Sequence, residues 1–182
     1  MAAVTRVAAL AGMFVLAGAS LSAQPKTSEY SVKAAYLVNF GRFAQWTSTP
    51  NADDTYQICV LGRDPFGALL DKAVAGGTID GRKVVVRRIT QAKDAPGCRI
   101  VYVSDSEEAQ LARTLAGLGP SHVLTVSDMP EFTRRGGMIQ FVADADRVRF
   151  EVNTASAEDA GLSFSAELLK VAVAVRRIRP GA

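Results

Sequence analysis

The stretch at residues 122–153, HVLTVSDMPEFTRRGGMIQFVADADRVRFEVN, constrains the fold more than any other part of the chain. Val123 to Val126 form a short apolar run closed by the turn formers Ser127, Asp128 and Pro130, the pattern of a strand covered on both faces. Gly136 and Gly137 can take φ > 0 at no steric cost, so they predict a tight turn from Arg134 into a strand at 138–142. Asp144, Ala145 and Asp146 are turn formers. Beyond them Val148, Phe150 and Val152 alternate with Arg147, Arg149, Glu151 and Asn153, which predicts a hairpin whose second strand has one apolar face.

Upstream, strand and helix patterns take turns. Residues 28–46 read as a helix capped by Ser28, with Glu29 in its first turn and an apolar stripe of Val32, Ala35, Tyr36, Phe40 and Phe43. After a polar break at 50–54, residues 56–61 (YQICVL) read as a strand. Asp64 then caps a helix with Pro65 at its first position and Leu69, Leu70, Ala73 and Val74 on its buried face, ended by Gly76 and Gly77. Following a turn at Asp80 and Gly81, residues 83–89 and 99–104 are strands, and Ser104, Asp105 and Ser106 cap a helix buried along Leu111, Leu115 and Leu118. Downstream of the hairpin, a helical turn at 154–160 stops at Gly161. A last helix is predicted from Ala166 to about Arg179, with Arg176, Arg177 and Arg179 near its C-terminal end and Pro180 stopping it. The implied class is α/β: a mixed, mainly parallel sheet with helices on both faces and a C-terminal antiparallel hairpin.

Residues 1–23 place Arg6 ahead of an apolar run from Val7 to Leu16 and then small residues to Ala23, the layout of a secretory signal peptide. That run is short of the roughly 20 residues a spanning helix needs, which argues against an uncleaved anchor. The expectation is cleavage and a single exported domain, 24–182. Lys and Arg total 21 against 18 Asp and Glu and are spread along the chain, which argues against a nucleic-acid partner. Export to an oxidising compartment favours a bridge between Cys59 and Cys98, the alternative being two buried thiols that never meet.

No catalytic constellation is present. The one histidine, His122, sits at a strand start, and neither G-x-S-x-G nor H-E-x-x-H occurs. The loop at 62–67 lacks the Lys and Ser/Thr of a phosphate loop, and Asp105, Glu107 and Glu108 have a helix start as their reason to be there. The chain is therefore expected to be no enzyme and to hold no metal or cofactor. The apolar stripe of the first helix is expected to face the core; the alternative is that Phe40, Phe43 and Trp46, crowded near the helix end, line a partly open aromatic pocket. Asn39, Arg149, Glu151, Asn153, Ser163 and Ser165 are the candidate polar groups beside it.

The segments EYSVKAAYLVNFGRFAQW (29–46), ICVLGRDPFG (58–67), VLTVSD (123–128), GGMIQF (136–141), RVRFEVN (147–153) and AGLSFSAELLKVA (160–172) together resemble the YfiR family of periplasmic proteins. The resemblance spans essentially the whole exported part. It implies a small α/β homodimer that holds a membrane diguanylate cyclase inactive by contacting its periplasmic domain, and so keeps cyclic di-GMP low. It also implies redox tuning through two disulfides in some members; Cys59 and Cys98 match one pair and the second pair is missing, which puts redox control in doubt here. The alternative expectation is a periplasmic module that binds a small-molecule ligand in the aromatic pocket.

Overall fold

The structure, a computed structural model, describes residues 26–47, 54–119, 122–144 and 147–179. The leader at 1–23, the break at 50–53, the turn residues Ala145 and Asp146, the stop at Pro180 and the capping side chain of Ser28 lie outside the described residues. Helix α1 (Lys26–Phe43) begins two residues before the predicted cap and ends three residues early. It ends there because Ala44–Trp46 is extended (β1) and pairs antiparallel with Leu162–Phe164 (β9) in a separate two-stranded sheet.

The main sheet draws on β2 (Thr55–Leu61), β3 (Thr78–Ile79), β4 (Arg82–Ile89), β5 (Cys98–Val103), β6 (Leu124–Ser127), β7 (Ile139–Asp144), β8 (Arg147–Asn153) and β10 (Ala174–Arg176). Their order is β10-β8-β7-β6-β5-β2-β4-β3, parallel except at the β7/β8 and β3/β4 hairpins. The expected class is therefore the observed one.

The unbroken apolar runs follow from burial on both faces. Ile58 and Val60 of β2 join one core with Leu37 and Phe40 of α1, Leu70 and Val74 of α2 (Ala68–Val74), and Leu168 of α5 (Ala166–Val171). Cys59 and Leu61, the residues between, join a second core with Leu111 and Leu118 of α3 (Leu111–Leu118), Met129 and Phe132. Two cores on opposite faces of one sheet need helices on both sides.

Local chemistry shifts several boundaries. The Asp64 carboxylate accepts from the Phe66 and Gly67 amides at 2.7 and 3.2 Å, so the predicted cap forms a turn, but α2 starts only after Gly67, whose φ is 50°. The Ser104 hydroxyl accepts from the Ser106 amide as expected, yet residues Asp105–Gln110 form a 3₁₀ turn before α3 begins. At Gly137 any side chain would collide with the Phe132 ring, which explains the glycine in that turn.

The last predicted helix needs the largest correction. α5 stops at Val171, and Ala174–Arg176 form β10, parallel to β8. Val171, Val173 and Val175 alternate at period two and are β-branched, which suits a strand, and the open edge of β8 supplies its partners. Arg176, Arg177 and Arg179 therefore do not complement a helix dipole. Each meets a carboxylate: Glu151 at 2.8 Å, Glu158 at 2.7 Å and Asp159 at 3.1 Å respectively.

Candidate functional site

Tyr36, Asn39, Phe40 and Phe43 share one face of α1 by helical spacing, and this face borders a cavity of about 240 Å³. α5 is brought opposite by its own cap. The Ser165 hydroxyl accepts from the Leu168 amide at 3.3 Å, while the Ser165 amide donates to the Phe43 carbonyl at 2.9 Å, tying the first turn of α5 to the end of α1. Glu167, Leu168 and Val171 then form the facing wall, and Phe150 of β8 completes the lining.

The floor is a set of aromatic contacts. Phe40 and Phe150 meet edge to face at 5.0 Å, Tyr36 and Phe150 at 5.5 Å, and Phe40 stacks on Phe141 at 5.7 Å. The rim is apolar and open: Phe43 is 39% exposed and Val171 59%. Val173 and Val175 follow at the same strand parity and are also exposed, so the apolar surface continues away from the cavity. Asn39 and Glu167 are exposed at the mouth. A hydrogen bond from its own backbone and one from the Ser165 hydroxyl hold the Glu167 carboxyl below the usual range. Chemically, such a site receives an apolar or aromatic group and offers a carboxylate and an amide to whatever that group carries.

The other candidates from the sequence lie elsewhere. Trp46 sits on β1, donates its indole N–H to the His122 carbonyl at 2.6 Å, packs edge-on to Tyr56 and lies under Arg99. Ser163 is paired with Gln45 across the small sheet. Arg149 reaches Asp144 at 3.8 Å on the hairpin. Glu151 accepts from the Thr133 hydroxyl and from Arg176 through Nε and Nη2 at 3.0 and 2.8 Å. Burial raises the Glu151 pKa, but the hydrogen bonds from Arg176 and Thr133 outweigh it and leave the carboxyl below its ordinary value. Asn153, fully buried, caps α4 (Thr154–Asp159) by accepting from the Ala155 and Ser156 amides. The structure thus gathers Asn39, Phe40 and Phe43 into one cavity with Ser165 beside it, and places Glu151 and Asn153 in a separate polar network. Glu167 and Val171 were missed, because in a long terminal helix neither has reason to face α1. The valine alternation was the available signal.

Cys59 and Cys98 are joined by a disulfide with Cα atoms 5.9 Å apart, linking β2 to β5. A second buried cluster ties α1 to the end of β6. Lys33, 5% exposed, pairs with Asp128 at 2.7 Å and Glu29 at 2.6 Å, and Tyr30 donates to Asp128 at 3.1 Å. Burial alone would raise the Asp128 pKa; hydrogen bonds from Lys33, Tyr102 and Tyr30 prevail and lower it. A carboxyl with a depressed folded-state pKa contributes stability above its unfolded value of about 4, and that contribution disappears as pH falls through the folded value. Asp128→Asn is accordingly expected to flatten the loss of stability on acidification, measured by urea unfolding across the acid range. An unchanged pH profile would contradict this.

Among solved structures, a conserved domain protein from Vibrio cholerae O1 biovar El Tor shares 13% identity with this chain over 84% of its length, with a TM-score of 0.54. The ABC domain from Streptococcus pneumonia, solved with L-Trp, shares 15% over 78%, with a TM-score of 0.52. The chain spans 60% of each of those chains, and at such identity the likeness is one of fold. No curated protein matches the sequence significantly. A family model described as YfiR/HmsC-like matches residues 30–173, which takes in most of α1, the disulfide, both walls of the cavity, and Glu151 and Asn153; the chain belongs to the YfiR/HmsC-like family.

Proposed function

We propose that this protein is a periplasmic regulator that binds and represses an inner-membrane diguanylate cyclase, contacting the cyclase's periplasmic domain as a homodimer and so lowering cyclic di-GMP. Family membership over residues 30–173 carries this reading, since the family is regulatory and implies control of cyclase signalling from the periplasm. The geometry supports a role in gripping a partner. Phe43, Val171, Val173 and Val175 leave apolar surface beside a cavity deep enough for an inserted side chain, the arrangement of an interface anchor pocket. No helix among the described residues is long and apolar enough to cross a membrane.

Crosslinking in intact cells, followed by purification of this protein from membranes, is expected to recover a membrane diguanylate cyclase. Recovery of the crosslinked protein with no cyclase attached would defeat the proposal. The cavity also favours a second reading, a small-molecule binding module. At about 240 Å³, it falls below the roughly 300 Å³ of drug-sized pockets and suits a ligand no larger than an aromatic ring with a short polar tail. A thermal-shift screen of periplasmic metabolites in which none raises the unfolding temperature would count against it.

A further inference from the structure

The chain beyond α5 is attached to the sheet unlike the central strands. Every residue of β5 is buried, whereas residues 171–179 alternate between exposed and half-buried and none is buried. Apolar burial therefore does little to hold this segment. Polar contacts take its place: Arg176, Arg177 and Arg179 reach Glu151, Glu158 and Asp159, three carboxylates on β8 and α4. The Asn153 side chain meets both the carbonyl and the amide of Ile178, at 2.7 and 3.1 Å. The Thr154 hydroxyl donates to the Arg176 carbonyl at 3.2 Å, and the Val173 amide donates to the Phe150 carbonyl at 2.9 Å.

We propose that residues 172–179 form a releasable strap, pinned along the edge of β8 by charge pairing, that detaches as a unit while the rest of the sheet stays folded. The Arg177–Glu158 and Arg179–Asp159 pairs are exposed, so each is worth little and weakens as salt screens it, and segments with little apolar burial open far more readily than a core. Release has a defined consequence. It frees the backbone edge of β8, including the carbonyl of Phe150, and loosens the chain that follows Val171, the outer wall of the cavity. The strap is a property of the isolated protein and stands or falls independently of the cyclase reading.

Residue-resolved amide hydrogen exchange on the purified protein tests it. Between about 0.02 M and about 0.5 M sodium chloride, the Val173 and Ile178 amides are expected to exchange about tenfold faster, while those of Ile100 and Tyr102 in β5 stay unchanged. The double variant Arg177→Gln/Arg179→Gln removes two pairs whose side chains are half in solvent and leaves the core untouched. It is expected to exchange fast at 173 and 178 already at low salt. Protection at these two amides equal to that of β5, or independent of both salt and the substitutions, would overturn the proposal.

Discussion

Replacing Cys59 and Cys98 together with alanine is expected to lower the unfolding free energy by about 4 kcal/mol, the value a closed-loop entropy model gives for a bridge of this span. The two residues are 39 apart in sequence, and the bond joins neighbouring central strands that hold no other covalent link among the described residues. Its effect lies mainly in the unfolded chain, which the bridge confines before any core forms. Urea unfolding of the variant and of the wild type with and without reductant separates the causes. The reduced wild type and the variant should agree, both well below the oxidised protein. A loss under about 1 kcal/mol, or two thiols freely alkylated without reductant, would show that the bridge contributes little.

Asn153→Ala is expected to cost about 3 kcal/mol, combining a lost helix cap with buried peptide groups left unpaired. The side chain is fully buried, and its oxygen accepts from the amides of Ala155, Ser156 and Ile178. Its nitrogen lies within 2.9 Å of the Thr133 carbonyl and the Ser156 hydroxyl and 2.7 Å from the Ile178 carbonyl. An amide nitrogen carries two protons, so at most two of these three acceptors are served at once, but one residue still joins the loop before β7, the start of α4 and the end of the chain. Asn153→Asp separates the parts. It keeps the capping oxygen but turns a buried charge toward two carbonyls, and it should remain clearly less stable than the wild type. Wild-type stability in the aspartate variant would reduce the residue to a simple cap.

The parts of the fold legible in the sequence are those whose two faces meet similar surroundings. YQICVL and RIVYVS needed only an unbroken apolar run, since cores lie on both sides of β2 and β5. RVRFEVN needed only its alternation. What escaped depended on a distant partner. Ala44–Trp46 carries on the spacing of Phe40 and Phe43 and becomes a strand only because Leu162–Phe164 lies beside it. The valines after α5 carry on the spacing of Leu168 and Leu169, and the edge of β8 decides the outcome. The site divides in the same way. Asn39, Phe40 and Phe43 could be placed together because one helix holds them, whereas Trp46 dropped out with the helix end, and Glu167 and Val171 face them only because Ser165 ties α5 to Phe43.

Cyclic di-GMP in living cells is the measurement closest to the central proposal. Removing this protein should raise the nucleotide several-fold, and returning the wild type should bring it down again. A folded Phe43→Glu variant, with a charge at the rim of the cavity, should fail to do so. A nucleotide level indifferent to the protein's presence would contradict the proposed function.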